Sequence, residues 1–568
     1  MQDKQRVLDI TFVVLMTLLQ IGIIILFAFY YRHTRPGETE NYSQIEKNFD
    51  KYPYFIDMHI MIFIGFGFLL SCFHKGRLHF IATCFWVAAL CLQLFFLAST
   101  IFRNISKEFS GEKTQPAVFN INNLIGATGC AASQLIALCC IIGKGNNLQY
   151  LIMAFFGVIL FAVNSLFVTD NSYLGCREIG GSMVVHTFGA AYGIGLTILL
   201  NYPNSKNKVN LYGNQNTYVT GILGTLFFWC FWPSSNSAMA NSLVERQIAI
   251  VNTYFSLIAS AITSYMFSII YHGGKFDMDH ILAGSIAGGV IIGTNADLVY
   301  DGYVAFILGA IAALICCSLS TYSRGFLKWM GAHDVAGAFD LHLVPGFVGG
   351  MLSAIFRQVY IDDRGWAQAV GTLISLGIGL LGGLIVGISV RGCHYELDKN
   401  QYYNDLHYVV MDKYVTADLV NYGPPGYVDE EPSVVSLLTQ ELNTSNNIEM
   451  GRKFDGHFDI PLPKVAAANG IQQLPTASVT DPNNNPYNTI RGNHSTVKHN
   501  SLLHGHSNTN GNPFQPQTNG YNNLNSQPIS NSMFSRPSTA RQGYAVNPAY
   551  QGQQQIANPT SFSYVRPF

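Results

Sequence analysis

Residues 178–193 read EIGGSMVVHTFGAAYG, and residues 334–349 read DVAGAFDLHLVPGFVG. Aligned without a gap, Glu178 faces Asp334, Gly181 faces Gly337, Met183 faces Phe339, His186 faces His342 and Gly193 faces Gly349. Each segment sets an acid eight residues ahead of a histidine that lies inside an apolar run. The chain therefore contains an internal repeat. The number of membrane crossings between the copies decides what kind.

Outward from these segments, apolar runs long enough to cross a hydrocarbon core of about 30 Å lie near 10–31, 55–73, 80–102, 118–142, 148–169, 178–200, 217–232, 248–271, 280–296, 302–321, 335–356 and 366–390. They predict an all-α polytopic membrane protein of about twelve transmembrane helices. A membrane β-barrel is excluded, because its signal is alternating segments of about 10 residues, whereas these runs are continuous and rich in small residues. The quoted segments are the sixth and eleventh spans, so five helices make the repeat unit. An odd unit reverses direction across the bilayer, which gives a five-plus-five inverted repeat. An even total places both termini on one side.

Composition agrees with this reading. The chain is 49% hydrophobic and 11% charged, against about 25% charged for a soluble domain, so a soluble enzyme is excluded. Its 32 basic and 33 acidic residues cancel to a net charge of -1, which leaves no electrostatic footprint for nucleic acid. Lys4 and Arg6 precede an apolar stretch from Ile10 to Tyr31. At about 20 residues it exceeds a signal-peptide core and reads as a retained span. The 11 cysteines lie mostly inside apolar runs, without the spacing of a zinc site or a disulfide framework. Gly379, Gly383 and Gly387 recur every four residues, as close helix packing in lipid requires. Neither GFGF at 65–68 nor AGG at 287–289 is followed by the lysine of a phosphate-binding loop, so no nucleotide or other cofactor is expected.

Orientation is less marked, because basic residues divide almost evenly between the two sets of loops. The sequons at Asn41 and Asn104 follow the first and third spans, hence share a side, and glycosylation of either would make that side external. Beyond Asn443 the chain is rich in Asn, Gln, Ser and Pro. It is too poor in apolar residues to bury a core, and is expected to be a disordered cytosolic tail.

An inverted repeat carries a pseudo-two-fold axis in the membrane plane. His186 and His342, equivalent under it, are expected to meet near the bilayer centre. Glu178 and Asp334 are then placed at opposite mouths, each about 12 Å from its histidine at 1.5 Å per residue. Asp340 is a further acid inside a span, expected to be paired or wetted. A metal needs three or four ligands, more than two histidines and Asp340 offer. Two neutral imidazoles sharing a proton present a donor and an acceptor on a narrow apolar path. Such a path suits a small neutral polar molecule such as ammonia and rejects hydrated ions by desolvation.

DMHIMIFIGFGFLL at 57–70, NLIGATGCAAS at 123–133, GGSMVVHTFGAAYG at 180–193, GTLFFWCFWPSSNSA at 224–238 and LHLVPGFVGG at 341–350 resemble the Rh glycoprotein branch of the ammonium transporter family. The likeness runs from about residue 7 to 395. It implies an extra N-terminal helix at 1–32, an extracellular loop at 33–54 and an eleven-helix channel domain at 55–395, while 396–568 has no counterpart in it and is expected from composition to be a cytosolic, mostly disordered tail. It also implies a multi-pass protein, expected in the plasma membrane with both termini cytosolic, assembled as a homotrimer or heterotrimer with related subunits. By the same resemblance, His186 and His342 match the twin pore histidines. Glu178 takes the place of an acid, usually Asp, implicated in ammonium deprotonation or in structural support.

The chain departs from that pattern where stacked phenylalanines usually stand above the histidines. It has Gly129 at one position and Ser235, followed by Asn236, at the other. Either Phe228 or Phe231 fills the space or the entrance is wider. The leading expectation is an ammonium or ammonia transporter. A second is an assembly or scaffold subunit with reduced transport, and a third is a carbon dioxide channel. No nucleophile, base and orienting group converge as an enzyme would need.

Overall fold

A computed structural model describes residues 2–32, 49–73, 75–113, 117–118, 120–200, 213–361, 364–395, 397 and 401–410. Asn41, most of the loop at 33–54 and the chain from 411 onward lie outside them.

Nine helices among the described residues have the length and hydropathy to cross a membrane. They are α1 (Lys4–Tyr30, whose helical backbone begins at Gln2), α2 (Tyr52–Leu70), α3 (Arg77–Phe109), α4 (Ile121–Ile141), α5 (Asn147–Thr169), α8 (Leu243–Tyr271), α10 (Gly302–Tyr322), α11 (Phe339–Tyr360) and α12 (Gly365–Gly392). Three more complete the series: α6 (Ser182–Ile198), α7 (Gln215–Ser237) and an interrupted α9 formed by Met278–Gly284 and Ala287–Ile292. The architecture is the expected twelve-helix, multi-pass one, with α2–α6 and α7–α11 as the two halves. Among the described residues the strand content is a two-residue parallel pair, β1 (Tyr31–Arg32) with β2 (Ala117–Val118).

Helix starts are fixed locally by polar caps. Asn120 caps α4, and capping boxes pair Asn146 with Gln149, Asn214 with Thr217 and Ser242 with Glu245. Each satisfies backbone N–H groups that the first turn leaves without partners. The break in α9 is satisfied by its neighbour. Ser260 donates to the Gly284 carbonyl at 2.6 Å and accepts from the Gly288 amide at 3.0 Å, while Ser256 donates to the Gly288 carbonyl at 2.8 Å. Non-helical backbone at membrane depth persists only with such partners. α7 runs past Pro233 through the polar segment that the apolar run omitted, because Ser234 donates to Asp57 of α2 at 2.6 Å and Asn236 is buried.

Glycine decides how closely the helices approach. A Cβ at Gly379 of α12 would stand 2.6 Å from the Phe188 carbonyl oxygen of α6, and one at Gly195 of α6 would stand 2.5 Å from that of Leu380. The repeated glycines of α12 are thus packing residues against α6. The chain after α12 turns back onto one face. Asp405 accepts from the Leu78 and His79 amides at 2.9 and 2.8 Å, and Tyr403 donates to the Gly143 carbonyl at 3.1 Å. The tail expected from residue 396 is therefore folded at 401–410, where buried Tyr402 and Tyr403 supply the apolar surface that later residues lack.

Candidate functional site: a histidine pair between two cavities

Gly181 and Gly337, equivalent in the repeat, both adopt the left-handed backbone, with φ of 81° and 75°. Glycine takes this conformation without the Cβ penalty other residues meet. Each is followed closely by a π-helical turn, Ser182–Thr187 in α6 and Phe339–Leu343 in α11. The wide turns carry His186 and His342. The two Nδ1 atoms are 3.0 Å apart, and the rings are parallel within 1°. One Nδ1 is the donor and the other the acceptor. The residues are 7% and 5% exposed, so the shared proton lies out of bulk water.

A cavity approaches the pair from each side. One, of about 180 Å³, is lined by Glu178, Gly129, Ser235, His186 and His342. The other, of about 610 Å³, is lined by Asp334, Asp340, Asp279 and His342. In α6 the acid-to-histidine path descends from the Glu178 cavity, and in α11 it descends from the Asp334 cavity, so the two copies run in opposite directions.

The acids hold equivalent amides. Glu178 accepts from the Met183 N–H at 3.3 Å, and Asp334 accepts from the Phe339 N–H at 2.7 Å and from Ala338 at 3.0 Å. Glu178 additionally accepts from the Thr294 hydroxyl, with both carboxylate oxygens within 2.9 Å. Its neighbour Arg177 is anchored to Asp297 at 2.6 Å and Glu245 at 2.7 Å. The Gln368 amide closes on the Arg177 backbone from both sides, at 2.8 and 2.9 Å. Asp340 lines the larger cavity and accepts from Ser323 at 2.9 Å.

Gly129 and Ser235 both face the Glu178 cavity, and a Cβ at Gly129 would meet only Val185, at 3.8 Å. Phe228 lines the same cavity deeper, against Gly65, while Phe231 stacks on Phe227 and is not among the lining residues. Asn236 lines neither cavity. It donates to Thr253 at 3.2 Å and to the Gly289 carbonyl at 3.0 Å, tying α7 to α8 and α9. Asn104 lies near the end of α3, where Ser106 of its sequon bonds the Tyr173 hydroxyl at 3.0 Å.

Sequence reasoning missed four neighbours. Trp232 stacks on His186 with centroids 5.8 Å apart, and Phe66 lies over His342 at 6.5 Å. Thr294 and Gln368 hold the acid and its loop. Trp232 stands inside the quoted WPSSNSA segment, three residues before Ser235, and that spacing was its available signal. Thr294 and Gln368 carry none, because their partners are more than a hundred residues away.

The Ammonium Transporter Family model matches residues 17–397. Ammonium transporter Rh type C of Tetraodon nigroviridis is 32% identical over 409 residues, covering 66% of this chain and 85% of that protein. The Homo sapiens protein of the same name is 33% identical over 412 residues, covering 66% and 84%. Among solved structures, Nitrosomonas europaea Rh50 superposes with a TM-score of 0.57 at 23% identity, over 71% of this chain and 99% of that one, a likeness of fold. With the family model spanning nearly all the helices and the Rh relatives covering the same region, the chain belongs to the Rh branch of the Ammonium Transporter Family.

Proposed function

We propose that this protein is an ammonium or ammonia transporter that passes neutral ammonia along His186 and His342. The observation that carries the reading is the histidine pair, 3.0 Å apart, buried between two cavities that each hold an acid. Moving an unpaired ion into such a constriction costs up to tens of kcal/mol, against roughly 2 to 7 kcal/mol for a neutral polar group. The species crossing the pair is therefore ammonia. Ammonium is drawn into the Glu178 cavity by the carboxylate and gives up a proton to the solution on that side. The resulting ammonia exchanges hydrogen bonds along the imidazoles until, in the Asp334 cavity, it takes a proton from the solution on the other side. The Rh type C relatives are named as ammonium transporters, which supports the same substrate.

Purified protein in proteoliposomes loaded with a pH-sensitive dye tests this directly. An imposed ammonium gradient should raise internal pH faster than in empty vesicles, and His186→Ala should remove the excess. Rates equal to those of empty vesicles would favour the second reading, a weakly transporting assembly or scaffold subunit. That reading is motivated by Gly129 and Ser235, two positions without a ring in a cavity whose aromatic lining comes from Phe95, Phe161, Phe228 and Trp232 instead. Trimeric assembly, placement in the plasma membrane and cytosolic termini belong to the same proposal, with crosslinking and surface labelling as their tests.

A further inference from the structure

The two cavities have two lining residues in common, His342 and Phe66. Along α2 the lining side chains change sides in order. Met58, Met61 and Ile62 face the Glu178 cavity, Phe66 faces both, and Leu69, Leu70 and, just past the helix, Phe73 face the Asp334 cavity. Phe66 is 3% exposed. Its ring lies over His342 and is held edge-on by Phe228, with centroids 5.0 Å apart at 82°. Gly65 makes room for Phe228, whose ring would come within 3.1 Å of a Cβ there.

The backbone supplies a second, independent observation. Among the described residues, three π-helical turns occur: Met61–Gly65, Ser182–Thr187 and Phe339–Leu343. The second and third carry the histidines. The first ends directly before Phe66. A π turn inserts one residue and rotates all that follows by about 100° relative to an unbroken helix, so it is this turn that aims Phe66 at the pair.

We infer that Phe66 is the specificity-determining aromatic barrier of this protein, taking over at the histidines the exclusion of hydrated cations that no ring performs at Gly129 and Ser235. This rests on the proposed transport path only for its purpose. The barrier itself is a separation of two cavities, and leak can be read without any ammonia flux.

The test is potassium leak from proteoliposomes of full-length protein, measured beside the ammonium-driven pH change. Phe66→Ala should raise potassium leak about tenfold over the unmodified protein, because an apolar, ion-rejecting plug becomes continuous wetted space. Adding Gly129→Phe and Ser235→Phe to that variant should return the leak toward the unmodified level, a rescue that loss of packing alone would not give. Phe63→Ala, on the same helix but packed on Phe85 and outside both cavities, should leave it unchanged. Should Phe66→Ala misfold, Phe66→Val, which keeps an apolar side chain in the helix but removes the reach of the ring, decides: a rise in leak upholds the barrier. Folded Phe66→Ala or Phe66→Val protein that leaks no more than the unmodified form overturns it. An unmodified protein with no ammonium-driven signal would overturn the transport reading alone.

Discussion

Glu178 and Asp334 occupy the same place in two copies of one motif, yet their carboxylates are used differently. Asp334, one methylene shorter, engages two successive backbone amides at 2.7 and 3.0 Å and behaves as a helix-start cap. Glu178 takes its backbone amides at longer range, that of Met183 at 3.3 Å, and adds the Thr294 hydroxyl. The cavities differ too, about 180 Å³ on the Glu178 side and about 610 Å³ on the Asp334 side. A repeated backbone therefore does not impose a repeated chemistry. Both acids line a cavity and hold helix-start amides, and the neighbours each half meets decide how tightly those amides are held and whether a hydroxyl joins them.

The most severe way to break the comparison is at the point where the halves meet. His342→Ala should lower ammonium-driven flux at least as much as His186→Ala, by about tenfold or more, since either change removes one polar partner of the proposed path. Dye-loaded proteoliposomes read this, and a variant with full flux would dissociate the pair from transport.

The two acids should then separate by readout. Glu178→Ala should abolish most flux at a modest cost in stability, while Glu178→Asp retains activity. Asp334→Ala should cost more stability, about 1 to 3 kcal/mol for each amide left without its acceptor. Detergent thermal melts measured beside flux distinguish the two, and equal melting shifts with equal flux losses would erase the asymmetry.

A smaller effect sharpens the cavity difference. Gly129→Phe with Ser235→Phe should narrow the Glu178 cavity and lower methylammonium uptake more than the ammonia-driven pH change, by a few-fold. Equal effects in a folded variant would show that these positions lie off the path.

The smallest effect belongs to a contact found on one side only. Asp405, after α12, caps the start of α3, and its own amide donates to Lys75 at 2.7 Å, close to Cys72 of the Asp334 cavity wall. Asp405→Ala should lower stability by about 0.5 to 2 kcal/mol, as loss of such a cap does. An unchanged melting temperature would show that the segment does not support that face.

The number of helices, their inverted halves and the equivalence of His186 with His342 were all legible from residue patterns, because membrane spans are set by local hydropathy and repeats by simple alignment. The same is true of Gly129 and Ser235, whose small side chains are visible as departures from a motif. What tertiary structure alone decided was which faces meet. Phe66 lay in a glycine-rich run that reads as packing, and only the π turn before it, invisible to a 3.6-residue period, aims it at His342. Asn236 sat beside Ser235 in sequence but faces away from the cavities, since adjacent helical residues point about 100° apart. Thr294 and Gln368 hold the Glu178 loop across 116 and 191 residues of chain. No local pattern encodes such a partner, and the asymmetry between the two acids exists only once the helices have packed.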